Sequence, residues 1–412
     1  MVGSDITGKA ITLSFVDART GLPVVGMVGA GQLARMTAQA AIPLGQSLRV
    51  LAEKADDGAA LVTADVMIGD YRSIDDLRTF AKGCDVVTFD HEHVPNEHVY
   101  ALESEGVSVQ PRAAALVFAQ DKARMRERLT EIGVPVPRWC EVADAAELCA
   151  FGDEVGWPVV LKAARGGYDG KGVWMIDGPD AAADAFASGA PLLAEQRVPI
   201  VRELAVDLAR SPFGQGAVWP VVETVQADGI CVEVVAPAPR LADDVAEEAE
   251  QLALRIAAEL DVTGVLAVEL FEVSAADASP VGEFSGRLVV NELAMRPHNS
   301  AHWTIEGART SQFEQHLRAV LDYPLGATTM TAPVVVMVNL LGGPADVRPS
   351  GIDERVHHCM AHWPDVKIHL YGKAFRPGRK VGHVTALGDD VEVLRVRARA
   401  AADYLMNGDR DD

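Results

Sequence analysis

Two carboxylates interrupt stretches that are otherwise apolar. Glu269 lies within residues 264–271 and Glu292 within residues 287–293, and turn residues separate the two stretches, which predicts an antiparallel strand pair. Buried carboxylates are paired, protonated or bound to metal, and two on adjacent strands repel each other without a cation. Mg²⁺ suits this position because one or two carboxylates plus substrate phosphates typically hold it, and Asn291 adds a neutral oxygen. The alternative is that both carboxylates face solvent from a one-sided sheet.

A glycine-rich loop at residues 166–172 follows a predicted strand at 159–163 and precedes another at 173–176. This order predicts a hairpin whose tip can fold over a ligand, and the backbone N–H groups of such a tip can bind an anion. The spacing differs from the Walker pattern. A flexible exposed tip is the alternative, although Tyr168, Asp169 and Lys171 give the loop three polar functions that a simple turn does not need. Its glycines are Gly166, Gly167, Gly170 and Gly172.

Further basic and polar side chains stand near these features. Lys162 lies in the apolar strand before the loop, where it either extends to solvent or neutralises an anion. The run at 295–304 contains Arg296, His298, Asn299 and Ser300, and is either part of a site or a polar turn before a helix. The cluster at 373–383 is either a solvated face or a phosphate cradle.

The elements that position these residues begin with an α/β domain. Strands are predicted at 23–29, 48–52, 85–89 and 107–109, with a glycine turn at 29–31 that enters a helix. This pattern, with Glu53 after the second strand, leaves dinucleotide binding as one interpretation. Other predicted elements are a helix at 120–129, a strand at 192–195, a helix at 241–260, a strand at 333–341, a segment at 368–373 and a final helix at 388–406.

Composition narrows the functional classes. The chain has 412 residues, of which 49% are hydrophobic, so we expect two or three domains. A net charge of −22 argues against non-specific nucleic-acid binding. Five scattered cysteines without a C-x-x-C pair indicate a reduced, cytoplasmic protein without structural zinc. Residues 1–20 are expected to form a loose extension, because their apolar run is too short for a signal peptide or a membrane span.

Taken together, these motifs resemble the ATP-grasp superfamily, and within it the family of N5-carboxyaminoimidazole ribonucleotide synthetases of purine biosynthesis. The resemblance extends from about Val24 to the last helix. The motifs that carry it lie at 29–36, 88–94, 166–172, 291–300, 371–373 and 379–383. The glycine loop with Tyr168 and Asp169, and the run from Arg296 to Ser300, are its most specific parts.

The resemblance implies an α/β (α+β) ATP-grasp fold and a cytoplasmic carbon–nitrogen ligase. Its domains would be an extension at 1–20, a parallel pre-ATP-grasp domain at 21–114, an ATP-grasp domain at 115–330 with a mobile lid at about 140–198, and a small C-terminal domain at 331–406. The reaction would be ATP-dependent carboxylation of 5-aminoimidazole ribonucleotide by bicarbonate, through carboxyphosphate, with release of ADP and phosphate. The implied cofactor is Mg²⁺, as two ions and without biotin, and the implied assembly is a homodimer without nucleic-acid or membrane partners.

The resemblance also implies roles for individual residues. Lys122 and Lys162 would contact ATP phosphates, and the glycine loop would close over them. The adenine and ribose would meet Glu195, Gln196, Arg197, Val198, Glu203 and Gln226, while Glu269, Asn291 and Glu292 would hold Mg²⁺ beside ATP. Arg296 and His298 would orient bicarbonate or carboxyphosphate. The ribonucleotide would meet Tyr168, Asp169, Lys171, Asn299, Ser300, Lys373, Arg379 and Lys380, with Tyr168 and Lys171 also catalytic.

Three positions depart from the family pattern. Ala30 and Ala301 stand where glycine is usual, which is tolerable if φ is negative there. Gln226 stands where histidine is common near the nucleotide, and glutamine can hydrogen-bond but cannot carry a positive charge. The alternatives are another ATP-grasp ligase, such as a formate-dependent glycinamide ribonucleotide transformylase or a biotin carboxylase, a dinucleotide-dependent oxidoreductase, and a non-catalytic ATP-binding regulator.

Overall fold

The computed structural model describes residues 20–167, 171–274, 287–343 and 351–408. The chain divides into two compact units, residues 1–110 and 111–412. None of the described helices is both long enough and apolar enough to cross a membrane.

The first unit contains a parallel sheet with the strand order β3-β2-β1-β4. Its elements are β1 (Val24–Val28), α1 (Gln32–Ala41), β2 (Ser47–Ala52), β3 (Asp65–Ile68), α2 (Ile74–Ala81), β4 (Val86–Phe89) and α3 (Asn96–Ser104). The sequence missed β3, which is short and is exposed at Ile68. The predicted strand at 107–109 was wrong in extent. Only Val109 forms a bridge, to Val87, and the chain then reaches Pro111, which has no N–H to continue a ladder.

The glycine turn before α1 encloses a carboxylate of the chain itself. Gly29 has φ +100°, a conformation that favours glycine, whereas Ala30 is not among the described residues with positive φ. Asp90 accepts hydrogen bonds from the backbone N–H of Gly31 (2.5 Å) and of Ala34 (2.9 Å). The N-terminus of α1 is therefore occupied by Asp90, where a dinucleotide pyrophosphate would otherwise bind.

The second unit begins with two helices and contains a small antiparallel sheet of order β5-β8-β6-β7. Helix α6 packs on this sheet, and their side chains share one apolar core. The predicted hairpin of two strands around the glycine loop is confirmed as β6 and β7. The elements are α4 (Ala113–Gln120), α5 (Lys122–Glu131), β5 (Trp139–Val142), α6 (Ala145–Val155), β6 (Val159–Ala163), β7 (Val173–Ile176), a 3-10 turn (Pro179–Ala182), α7 (Ala183–Ala187) and β8 (Leu192–Gln196).

A large antiparallel sheet follows, with nine described strands in the order β14-β13-β9-β11-β12-β15-β17-β16 and β10 beside β9. Helices α8 and α10 contact β9, and α12 packs on β15 and β17. The elements are β9 (Ile200–Arg210), β10 (Gly216–Val218), β11 (Val222–Ala227), β12 (Ile230–Ala236), α8 (Asp243–Glu259), β13 (Gly264–Val273), β14 (Leu288–Ala294), a 3-10 turn (Asn299–Ala301), α9 (Thr304–Gly307), α10 (Gln312–Val320), β15 (Val334–Leu341), α11 (Ile352–His362), β16 (Lys367–Leu370), β17 (Lys380–Gly388) and α12 (Val391–Asn407).

Candidate active site

The two carboxylates predicted from sequence face each other across a strand pair. Strands β13 and β14 are antiparallel, and Glu269 lies directly opposite Glu292. Directly opposed residues project on the same face of a sheet. Burial raises the pKa of Glu269 to about 7, and the negative charges of Glu292 and Glu203 add to the shift. The pair therefore carries an electrostatic cost that a cation would relieve.

Basic and amide groups surround this pair. The ammonium of Lys122, in the first turn of α5, donates to Glu292 Oε1 at 2.6 Å. Lys162 Nζ donates to Asn291 Oδ1 at 3.1 Å, and Asn291 Nδ2 donates to Glu269 Oε2 at 3.3 Å. Lys122 of α5 and Asn291 of β14 therefore contact the two carboxylates directly, and Lys162 of β6 is linked to them through Asn291.

Lys162 does not extend to solvent. Its ammonium lies 2.7 Å from Glu195 Oε2, and its side chain is only 10% exposed. Arg126, which is fully buried, binds the other oxygen of Glu195 at 2.7 Å and also donates to the backbone carbonyl of Asn291. Burial opposes ionisation of Glu195, but the Arg126 and Lys162 charges outweigh it and lower its pKa to about 2. The Glu195 carboxylate is therefore engaged in a buried ionic cluster.

Arg126 was not among the site residues expected from the sequence. The available signal was its spacing from Lys122, since residues four apart share one face of a helix. Asp207 was not expected either, although it is a carboxylate in the largely apolar strand β9, and a carboxylate in an apolar strand was the pattern that predicted Glu269. Asp207 is 2% exposed, and its carboxylate accepts hydrogen bonds from Ser300 Oγ at 2.9 and 3.0 Å.

His298 stands beside Glu269, with 3.6 Å between its Nε2 and Glu269 Oε1. Its Nδ1 lies 2.8 Å from Ser300 Oγ, and its backbone N–H donates to Gln312 Oε1 at 2.7 Å. Burial lowers the pKa of His298 well below its usual value, and the charges of Arg296 and Lys380 lower it further. His298 is therefore neutral near pH 7. Its neighbours Asn299 and Ser300 are buried, and Ala301 lies in the 3-10 turn, where φ is negative.

A pocket of about 590 Å³ is lined in part by Glu203, whose negative charge contributes to the raised pKa of Glu269. It is lined by residues 200–203 of β9, residues 223–226 of β11 and Arg240. Burial raises the pKa of Glu203, whereas a hydrogen bond from Gln226 lowers it. Gln226 thus contacts the carboxylate expected to bind ribose. Of the other residues expected near adenine, Gln196 ends β8, Arg197 is exposed, and Val198 is buried against Val273 and Val289.

The glycine loop is described only in part, because Tyr168, Asp169 and Gly170 lie outside the described residues. Gly166 and Gly172 have φ values of +77° and +72°, and a Cβ on Gly167 would lie 2.8 Å from the carbonyl oxygen of Lys171. These three positions require glycine. Lys171 is exposed.

The C-terminal basic cluster at residues 373–383 lies close enough to His298 to lower the pKa of its imidazole. Lys380 lowers the pKa of both His298 and His302, after burial, and Lys373 also acts on His302. Lys373 Nζ lies 5.6 Å from the centre of the Tyr371 ring. Arg379 donates to the carbonyl of Ala374 at 3.3 Å. The cluster therefore adds positive potential to the side of the site that contains His298.

Comparison with known proteins identifies the class first. Three family models match this chain: the ATP-grasp domain at residues 127–313, the ribonucleotide synthetase preATP-grasp domain at 22–120, and the phosphoribosylaminoimidazole carboxylase C-terminal domain at 335–397. Together with the fold and the site, they define an ATP-grasp enzyme, which confirms the fold class expected from the sequence.

Individual relatives narrow the assignment. The N5-carboxyaminoimidazole ribonucleotide synthase of Mycobacterium tuberculosis H37Rv is 57% identical over 390 residues, covering 94% of this chain and 88% of the relative. That of Corynebacterium ammoniagenes is 51% identical over 391 residues, covering 94% and 93%. The synthetase structure from Thermus thermophilus superposes with a TM-score of 0.80 at 37% identity, covering 93% and 98%. The Aspergillus clavatus synthase, solved with ADP and 5-aminoimidazole ribonucleotide, gives 0.82 at 32% identity with the same coverage.

The chain belongs to the family of N5-carboxyaminoimidazole ribonucleotide synthases. It is therefore an ATP-dependent ligase of purine biosynthesis, as the sequence predicted. These matches do not support the other ATP-grasp ligases, the oxidoreductase or the non-catalytic regulator. The Asp90 carboxylate at the N-terminus of α1 is a separate argument against the oxidoreductase.

Proposed function

We propose that this protein carboxylates 5-aminoimidazole ribonucleotide with bicarbonate, using ATP and releasing N5-carboxyaminoimidazole ribonucleotide, ADP and phosphate. The observation that best supports this proposal is the opposition of Glu269 and Glu292, with Lys122 and Asn291 in contact with them. Bicarbonate is a poor electrophile, and phosphorylation by ATP converts it into carboxyphosphate, which can deliver its carbon to the exocyclic amine.

Mg²⁺ suits the donor set. In the described part of the chain, no three His, Cys, Asp or Glu side chains converge as a metal centre. Two carboxylates and an amide oxygen are nevertheless sufficient when nucleotide phosphates complete the coordination. Glu269, Glu292 and Asn291 would hold Mg²⁺, and we propose that two ions bind. When bound, Mg²⁺ neutralises phosphate charge during phosphoryl transfer.

The remaining nucleotide contacts follow from the positions of the side chains. Lys122 and Lys162 lie beside the carboxylate pair and would contact phosphate oxygens. Glu203 and Gln226 line the adjacent pocket and would bind the ribose. The segment from Glu195 to Val198 would meet adenine, and because the Glu195 carboxylate is already bound to Arg126 and Lys162, we assign that contact to its backbone.

Bicarbonate and the ribonucleotide would bind around His298. Arg296 and neutral His298 would orient bicarbonate and carboxyphosphate, with Asn299 and Ser300 beside them. Lys373, Arg379 and Lys380 would bind the ribonucleotide and its phosphate, together with Tyr168, Asp169 and Lys171 of the glycine loop. Closure of that loop through Gly166, Gly167, Gly170 and Gly172 would exclude water from a labile intermediate.

We also propose a homodimer in the cytoplasm. The dimer is the usual state of the family, and sedimentation equilibrium tests it. A reducing compartment is supported by the five cysteines, all of which are free. The four-part domain division inferred from sequence also stays a proposal, which limited proteolysis tests.

The decisive experiment measures ADP release with ATP and Mg²⁺ in bicarbonate buffer, with and without 5-aminoimidazole ribonucleotide. We expect release to depend strongly on the ribonucleotide and to yield its N5-carboxy product by mass spectrometry. ADP release that is indifferent to the ribonucleotide, but that responds to formate with glycinamide ribonucleotide or to biotin, would overturn the substrate assignment.

A further inference from the structure

We propose that Asp207 is a positioning residue for His298, and that it acts through the hydroxyl of Ser300. This inference rests on the proposed function, since it assigns His298 to the bicarbonate. It concerns a carboxylate that does not reach the proposed substrates itself.

Asp207 lies on the face of the large sheet that carries the site. Asp207 is paired with Ala267 of β13, and Ala205, two residues earlier on β9, is paired with Glu269. Because side chains alternate along a strand, Asp207 and Glu269 project on the same face. Asp207 is 2% exposed, so its carboxylate is a buried group on the site's side of the sheet.

The surroundings of Asp207 do not compensate a buried charge. Within the described residues, no lysine, arginine or histidine forms an ion pair with it. Ser300 is the side chain that donates to its oxygens, at 2.9 and 3.0 Å. Burial raises the pKa of Asp207 to about 7 despite this hydrogen bond. A carboxylate at this position is unfavourable for stability, which is the reason to look for a role in the reaction.

The hydrogen bonds connect Asp207 to His298. Ser300 has a single hydroxyl proton, and when that proton is directed to Asp207, its oxygen is left as an acceptor. His298 Nδ1 lies 2.8 Å from this oxygen and then carries the proton that it donates. The Ser300 backbone N–H also lies 3.4 Å from this nitrogen, a longer and therefore weaker hydrogen bond than the 2.8 Å contact with the hydroxyl.

This arrangement leaves Nε2 of His298 unprotonated, with its lone pair 3.6 Å from Glu269 Oε1. Bicarbonate has one hydroxyl group. If this hydroxyl donates a hydrogen bond to Nε2 and keeps its proton, the anionic oxygens of bicarbonate remain available to attack the γ-phosphorus of ATP. Asp207 would thus select both the ring orientation and the tautomer that bind bicarbonate in the reactive direction.

The test compares Asp207→Asn and Asp207→Val with the wild-type enzyme. The amide of the first variant can donate as well as accept, so it no longer directs the Ser300 proton, and the second removes the hydrogen bond. We expect kcat to fall roughly tenfold in both, which corresponds to about 1.4 kcal/mol for the loss of the hydrogen bond that orients His298, with the KM for ATP nearly unchanged. Their Tm should be equal to or above that of the wild type, because a buried carboxylate has been removed.

A second readout does not depend on turnover. Histidine ¹⁵N spectra of the ligand-free protein, with His298 assigned by loss of its signals in His298→Gln, should show Nδ1 protonated in the wild type and a changed tautomer ratio in Asp207→Asn. Wild-type kcat in both variants, loss of kcat in step with a lowered Tm, or an unchanged tautomer would each overturn the proposal. If the wild type itself shows no ribonucleotide-dependent ADP release, the proposed function fails, while the spectra still test the link from Asp207 to His298.

Discussion

Glu269 stands directly opposite Glu292 in the antiparallel pair of β13 and β14, and desolvation and the facing carboxylate raise the pKa of Glu269 to about 7. Like charges at opposed positions of a sheet are destabilising. The geometry is therefore unfavourable for the polypeptide alone and favourable once a divalent cation binds between phosphate oxygens and these carboxylates.

Glu269→Gln and Glu292→Gln should each lower ribonucleotide-dependent ADP release by about 100-fold or more, the order seen when one preorganised electrostatic group is removed. Tm should not fall in Glu269→Gln, because this change relieves the repulsion; Glu292→Gln also removes the ion pair with Lys122, so its free energy of unfolding should change by no more than about 1 kcal/mol. Steady-state kinetics over a Mg²⁺ titration measures the effect. Glu248→Gln, at an exposed position on α8, is the matched control and should behave as wild type. Wild-type rates in both site variants would contradict the metal assignment.

Lys122→Met should raise the KM for ATP by roughly tenfold, which corresponds to about 1.4 kcal/mol of lost binding. The effect on unfolding should stay within about 1 kcal/mol, because the Glu292 side chain of this ion pair is 40% exposed and solvent screens the charges. Arg124→Met, two positions along the same helix and exposed, serves as the control. Equal KM values for the two variants would remove Lys122 from the phosphate site.

Glu195→Gln should destabilise the protein by roughly 3–5 kcal/mol, because it leaves the buried Arg126 and Lys162 charges without their shared partner. Urea unfolding followed by circular dichroism measures the change. Glu141→Gln, on the neighbouring strand β5 and exposed, is the control and should change stability little.

This effect also has a pH signature. The folded-state pKa of Glu195, about 2, lies below its ordinary value of 4.5, so its contribution to stability is complete above pH 4.5. The contribution is lost as the pH falls from 4.5 towards 2. The stability difference between wild type and Glu195→Gln should therefore be constant from pH 5 to 8 and should shrink in acid. A difference that grows in acid would be the opposite of this expectation.

Gln226→Leu should raise the KM for ATP a few-fold, in line with the roughly 1 kcal/mol of a neutral hydrogen bond, and leave kcat unchanged. The reason is that Gln226 donates to Glu203, the carboxylate assigned to the ribose. Gln226→His, whose ring N–H can also donate a hydrogen bond to Glu203, should restore the wild-type KM. An unchanged KM in the leucine variant would show that this hydrogen bond does not orient Glu203 for the nucleotide.

Patterns within short segments were sufficient for much of the site. Two apolar runs separated by turn residues predicted the β13–β14 pair with one carboxylate on each strand, and the glycine loop predicted the β6–β7 hairpin. These features depend on residues close in the chain, for which periodicity and turn chemistry are direct physical signals. The same local reasoning overestimated the strand at 107–109, where the chain makes only one bridge before Pro111.

The sequence by itself determined which side chains could bind phosphate and metal, since a carboxylate, lysine or glycine in an apolar setting requires an explanation wherever it lies. Only the tertiary structure decided which of them meet. Arg126 reaches Glu195 across 69 positions, and Ser300 reaches Asp207 across 93. The order β14-β13-β9 and the packing of α5 create these contacts, and burial then sets the charge that each group can carry. Burial and partner choice depend on the whole fold, so no local pattern could reveal them.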